Sequence, residues 1–216
     1  TLLGLMHREA QAGAIDKAQA LAAQLLAWCP MDNLGVRFLR GDIAFLQGDY
    51  ESALPFYLEG ARDAPANWYQ AALIAFREKD FVTACTYLRR GIAANPYMAE
   101  GLTGRSMLYE HHYLHLSSMN GPEWAMDYLD SPACGWTLAE TGFVDWVFNA
   151  APVLRERAKL MALHEALTHE QDPELRSLSA QQAWDFAGRL SNALSKKMVR
   201  RVTDRWGNRV WPWERG

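Results

Sequence analysis

Three prolines, Pro30, Pro65 and Pro96, cut the first half of the chain into segments of similar length, spaced 35 and 31 residues apart. Each follows an apolar run of helical character: ALAAQLLAWCP, ALPFYLEGARDAP and ACTYLRRGIAANP. Proline cannot continue a helix, so each marks the end of a helical unit. A repeated period of this length restricts the fold to helical units that bury their apolar faces by stacking on one another.

The middle unit, NLGVRFLRGDIAFLQGDYESALPFYLEGARDAPAN, is the clearest. Gly41 stands where one helix must approach its neighbour closely. Gly48-Asp49-Tyr50 makes the turn between two helices: Gly48 suits a left-handed C-terminal position and Asp49 suits an N-cap. Ala53, Tyr57 and Gly60 recur at three- and four-residue spacing and give one buried stripe. The next unit has Trp68, Ala72, a turn at Asp80-Phe81, and a stripe of Ala84, Leu88 and Gly91. The first is degenerate, with Leu2, Met6, Ala18, Ala22 and Leu25 apolar. Helix pairs are expected at about 1–30, 34–65 and 66–96, with Gly41, Ala53, Tyr57, Ala72, Ala84 and Leu88 buried between them.

These residues stand where the tetratricopeptide-repeat (TPR) signature places its glycine, aromatic and small residues, at a period close to its roughly 34 residues. The stretches MDNLGVRFLRGDIAFLQGDYESAL, ANWYQAALIAF and IAANPYMAEGLTG, with EWAMDYLDSPACGW further on, resemble a bacterial TPR-like family related to the suppressor-of-tumorigenicity proteins. The resemblance covers roughly residues 20–140. It implies an all-α scaffold, a TPR-like superhelix of about three repeats, and it carries over no catalytic residue.

Residues 1–116 are read as the repeats with a following helix, 117–202 as a helical extension, and 203–216 as a basic aromatic tail. A helix is expected over 99–116, a break at Ser117–Pro122, and short helices over 123–129 and 137–149. A longer one follows over 152–169. Asp172-Pro173 is read as a break, and Ser179 as the cap of a final helix from Ala180 to about Val199. The tail VTDRWGNRVWPW fits a small hairpin around Gly207-Asn208 or an extended arm.

The net charge of −3 hides an asymmetry. Residues 99–150 hold seven acids against one base, Arg105, a net −6; residues 189–216 hold eight bases against Asp204 and Glu214, a net +6. Cys29, Cys85 and Cys134 form no CxxC pair and no disulfide framework, and no apolar run is long enough to span a membrane. The opening LLGLMHREA lacks the pattern of a secretion signal. The expected setting is a reducing cytoplasm.

Chemistry-bearing patterns are sparse. His111 and His115 are four residues apart and share a helix face, a spacing suited to one metal ion, with His112 beside them and His164 and His169 further on. The stretch HEALTHE has the wrong spacing for a zinc-protease motif. Surface or interface histidines are the alternative reading. No phosphate-binding glycine loop and no nucleophile elbow occurs, so neither an enzymatic activity nor a cofactor is expected.

The inner face of the repeats is the better candidate site. In register it holds Phe38, Leu39, Asp42 and Phe45, then Tyr69, Gln70, Leu73, Phe76 and Arg77. Leu3, His7, Leu39, Ala66 and Gln70 occupy the places where a carboxylate clamp would need Lys, Asn and Arg, so a free C-terminal carboxylate is a poor fit. An aromatic, apolar groove suits an amphipathic helix or extended peptide; the chain's own C-terminal helices are an equally good filling. The tail offers Arg205, Trp206, Arg209, Trp211 and Trp213, a composition suited to contact hot spots. Three partners fit it: phosphates with stacked bases, an anionic membrane surface, or the acidic middle of the same or another copy. The expected function is a scaffold or adaptor for a protein partner; the alternative is a nucleic-acid-associated or metal-dependent protein using the tail or the histidines.

Overall fold

The computed structural model describes residues 1–32, 35–105 and 118–215. Among them are twelve α-helices and one two-stranded sheet. Six helices form three successive hairpins: α1 (Leu2–Gln11) with α2 (Ile15–Trp28), α3 (Val36–Leu46) with α4 (Tyr50–Gly60), and α5 (Ala66–Arg77) with α6 (Phe81–Ala94). Each hairpin stacks on the next, α2 against α3 and α4 against α5. The turns follow from local chemistry. Gly48 takes a φ of +75°, and the carboxylate of Asp49 accepts from the Ser52 amide at 3.0 Å to start α4. Asp80 does the same for α6 through the Thr83 amide, at 3.1 Å.

Two tyrosine rings set the helix spacing. A Cβ on Gly41 would lie 2.7 Å from the Tyr57 ring, and one on Gly91 would lie 2.8 Å from the Tyr69 ring. Both rings are fully buried. Glycine removes the side chain that would hold the helices apart. Gly41, Ala53, Tyr57, Ala72, Ala84 and Leu88 are all buried between the pairs.

The rest of the chain folds back onto α5 and α6. It comprises α7 (Pro96–Leu102), α8 (Pro122–Asp130), α9 (Leu138–Asn149), α10 (Ala151–His169), α11 (Pro173–Arg189) and α12 (Asn192–Met198). A hairpin follows, pairing β1 (Val202–Thr203) with β2 (Arg209–Val210). Helix α6 meets α7, α9, α10, α11 and α12. Every residue of α5 from Asn67 to Ala75 is buried, the polar Asn67 and Gln70 among them.

Two sequence expectations change here. The helix expected over 99–116 starts at Pro96 and ends at Leu102, with Gly104 at a φ of +71°; residues 106–116 lie outside the described residues. The final helix does not run from Ala180 to Val199. Asp172 caps α11 by accepting from the Glu174 amide at 2.9 Å, with Pro173 in the first turn, so Asp172-Pro173 begins a helix. That helix stops at Arg189 because α6 takes the next two carbonyls. Arg90 Nε donates to the Leu190 oxygen at 3.0 Å, and an Arg89 guanidinium nitrogen donates to the Ser191 oxygen at 2.9 Å.

Arg89 is 2 % exposed and also pairs with Glu156 of α10, so one buried cation fastens α10 and the α11–α12 junction to α6. Removing one member of a buried pair costs about 3–5 kcal/mol. The glycine contacts give a direct test. Gly41→Ala and Gly91→Ala should each lower unfolding free energy by about 1–3 kcal/mol, because the added methyl overlaps an immobile ring. Urea denaturation measures this, and an unchanged midpoint for both would mean that the rings do not set the spacing.

Candidate functional site

The inner face begins with a polar chain through the stacked helices. Trp136 Nε1–H donates to the Tyr128 hydroxyl at 3.0 Å, which donates to Gln70 Oε1 at 2.9 Å. Gln70 Nε2 donates to the Ala133 carbonyl oxygen and stands 3.5 Å from the Tyr57 hydroxyl. Tyr57 donates to Asp42 Oδ1 at 2.8 Å. Donors therefore point one way, from Trp136 to a terminal carboxylate on α3, an arrangement in which each bond polarises the next. Burial pushes the Asp42 carboxyl up to about 6, against the lowering effect of the Tyr57 hydroxyl. Burial, with Asp42 beside it, pushes Tyr57 far above an ordinary phenol.

These bonds lay the segment after α8 across the inner face of α5. Tyr69 and Leu73 are fully buried and Gln70 is 1 % exposed. Phe45 is covered as well: a Cβ on Gly135 would lie 3.0 Å from its ring. Arg77 donates to Glu140 Oε1 at 2.8 Å and to the Tyr50 hydroxyl at 2.7 Å, joining α5 to α9 and α4. Phe76 points elsewhere, into an aromatic cluster with Phe81, Phe143 and Trp213 at ring-centroid distances of 5.2, 4.9 and 6.2 Å.

That cluster anchors the C-terminal arm. Trp211 and Trp213 stack on each other at 5.3 Å, and Trp213 meets Trp146 at 5.1 Å. The hairpin turn is organised by Asp204, which accepts from the amides of Trp206 and Asn208 at 2.9 and 2.7 Å. Its tip stays in solvent. Trp206 is 67 % exposed with the Arg205 guanidinium 4.0 Å above its ring. Arg209 is exposed on β2, and its carbonyl oxygen accepts from Arg201 at 3.1 Å.

An open groove of about 890 Å³ lies beside the covered part of the inner face. Leu39, Asp42, Ile43 and Leu46 of α3 line one side, and Trp124, Asp127 and Asp130 of α8 line the other. Met6, Met31, Met98 and Met119 complete the apolar surface. Asn67, at the start of α5, also lines it; this residue is 5 % exposed and its Nδ2 has no hydrogen-bond partner among the described residues.

Of the inner-face residues read from sequence, Leu39 and Asp42 line this groove. Phe45, Tyr69, Gln70, Leu73 and Arg77 meet the chain's own later segments, and Phe76 belongs to the aromatic cluster; of Phe38 only the helical backbone is described. Trp211 and Trp213 are turned inward, and Arg205, Trp206 and Arg209 face solvent. Residues 106–117, with His111, His112 and His115, lie outside the described residues. Met31, Asp32, Asn67 and Trp124 carry no sequence signal for the groove. Asp127 and Asp130 belong to the acidic stretch and read from sequence as a solvated face.

No family model, no curated protein and no solved structure matches the chain. No described helix is long and apolar enough to cross a membrane.

The raised Asp42 carboxyl has a consequence for stability. A carboxyl with a folded pKa above its unfolded value favours the folded state when protonated. That contribution is complete below 3.8 and is lost as pH rises through about 6. Asp42→Asn should therefore stabilise the fold at about pH 8, by on the order of 1–2 kcal/mol for a part-exposed group, and much less at about pH 4. Urea unfolding at the two pH values checks this; equal effects at both would show that burial does not penalise the charge.

Proposed function

We propose that the chain is a TPR-like superhelical scaffold, acting in the cytoplasm as an adaptor or accessory subunit that holds a protein partner. The observation that carries this reading is the groove between α3 and α8. Its open side presents apolar groups that are costly to leave in water, with Met31 79 %, Trp124 40 % and Leu46 37 % exposed. Concentrated, concave apolar surface rimmed by polar groups is the usual mark of a contact site. The sequence resemblance to TPR-like proteins related to the suppressor-of-tumorigenicity family favours the same class.

The hairpin tip is a second contact element in this reading. Trp211 and Trp213 fix the arm to the body, which leaves Trp206, Arg205 and Arg209 presented on a short, ordered projection at low entropic cost. The same tip also favours the alternative of nucleic-acid association, because an exposed Trp among arginines stacks on bases and pairs with phosphates.

The two surfaces can be tested separately, since Trp124 and Trp206 are both exposed and their replacement leaves the core intact. Partner capture from the native host, quantified by mass spectrometry, is expected to fall at least about tenfold with Trp124→Glu, the loss of a central aromatic anchor. Trp206→Ala with Arg205→Ala should weaken it by less. Full retention of the captured protein by both variants contradicts the scaffold reading. Retention on a nucleic-acid column that collapses with salt and with the Trp206 variant alone would favour the alternative.

A further inference from the structure

Among the described residues the acidic stretch and the basic tail of this chain form no ion pair with one another. Within the arm, Arg201 lies 4.9 Å from the Trp211 ring centroid, Arg205 lies over Trp206, and Arg215 donates to the Thr203 carbonyl, while Arg209 stays exposed. Among the described residues no ion pair joins the arm to an acid. Asp42 comes from the α3 side of the groove and Asp127 and Asp130 from the α8 side; Asp32 also lines it, with its carboxylate accepting from the Val36 amide at 2.7 Å. Among the described residues no Lys or Arg lines the cavity. Asp127 and Asp130 are exposed and have no ion-pair partner among the described residues.

From this arrangement we infer that the groove takes a cationic amphipathic helix, one whose apolar stripe faces the methionines and whose Lys or Arg side chains reach the aspartates on both walls. The inference rests on the partner-holding reading and specifies the chemistry of the occupant. Three features point the same way. Opposed carboxylates attract cations from either flank of an inserted segment and repel an acidic one, so the walls select by charge. Methionine is flexible and polarisable, and the accessible Met31 and Met119 adapt to leucine, isoleucine or aromatic side chains without a fixed shape. The Asn67 carboxamide, buried at the cavity and with its nitrogen unpartnered among the described residues, is a donor that a free carbonyl in the last turn of an inserted helix can satisfy. A basic face on each side of an apolar stripe of three to four residues per two turns suits an apolar surface flanked by acids. An inserted cation also stabilises the charged form of Asp42, the half-buried carboxylate at the end of the hydrogen-bond chain.

The test uses the full chain and four fluorescein-labelled peptides of about twelve residues, roughly three helical turns. Their compositions are Leu with Lys, Leu with Gln, Leu with Glu, and Gly with Lys. Fluorescence anisotropy is expected to show the Leu–Lys peptide binding at least about tenfold tighter than each of the others, with affinity falling as salt is raised. Asp127→Lys with Asp130→Lys changes only exposed positions; it should weaken the Leu–Lys peptide by about tenfold or more and bring it level with the Leu–Gln peptide. Asn67→Ala should weaken it several-fold at every salt concentration. If Gly–Lys binds as well as Leu–Lys, the attraction is charge alone and the inference fails. If Leu–Gln or Leu–Glu binds as tightly as Leu–Lys and Trp124→Glu abolishes that binding, the cationic occupant is wrong while the partner-holding groove stands. If no peptide binds, the inference fails, and partner capture by Trp124→Glu then decides whether the scaffold reading falls with it.

Discussion

The buried carboxamide of Gln70 is the contact on which the arrangement of this protein depends. A primary amide taken out of water must find partners for both its ends, or it costs about 1–3 kcal/mol for each group left unmet. In α5 these partners come from opposite directions in the chain: Tyr57 of the preceding hairpin, and Tyr128 with the Ala133 carbonyl from the later segment. The requirement fixes where the segment after α8 crosses the stacked hairpins. That crossing covers Tyr69 and Leu73, leaves room for the groove between α3 and α8, and delivers Glu140 to Arg77. A stack of helix pairs, by itself an open array, is thereby closed on one part of its inner face and left open on another.

Closure divides the labour between two polar devices and one aromatic one. The chain of hydrogen bonds from Trp136 to Asp42 orders the inner face. Arg89, inside the other face of α6, pairs with Glu156 and takes the Ser191 carbonyl, which holds α10 and α12 in place. The rings of Phe76, Phe81, Phe143, Trp146 and Trp213 anchor the arm at the far end of α5. Each device joins residues far apart in sequence, so the C-terminal half is part of the same packed body as the helical hairpins. The surfaces proposed for partner contact are what these devices leave uncovered: the groove lined by Asp127 and Asp130 and the hairpin tip that carries Arg205, Trp206 and Arg209.

Local physics was readable in the sequence and distant partners were not. The glycine under the Tyr57 ring, the Gly48-Asp49 turn and the buried stripes are encoded within a few residues, and the three hairpins follow from them. Trp211 and Trp213 were recognisable as residues that must pack somewhere, but nothing within the tail names Phe81 or Trp146 as their neighbours. Gln70 shows the same limit. A polar residue on the inner face of a repeat reads alike whether it meets a partner or its own chain, and its partner Tyr128 is 58 residues away. The break between α11 and α12 was missed for that reason too, because the groups that take its carbonyls are Arg89 and Arg90 on α6. The groove itself is assembled from five separated stretches of chain, and of these only the α3 positions Leu39 and Asp42 and the acidic character of α8 stand out in sequence.

Hydrogen exchange on the intact chain, followed by mass spectrometry, tests most directly whether the segment after α8 is a permanent part of the array. Amides of α5 and of residues 125–136 are expected to be protected together and to open with a single free energy close to that of global unfolding. Rapid exchange of 125–136 while α5 remains protected would contradict it, because the inner face would then be covered only transiently and Tyr69, Gln70 and Leu73 would be free to meet a partner.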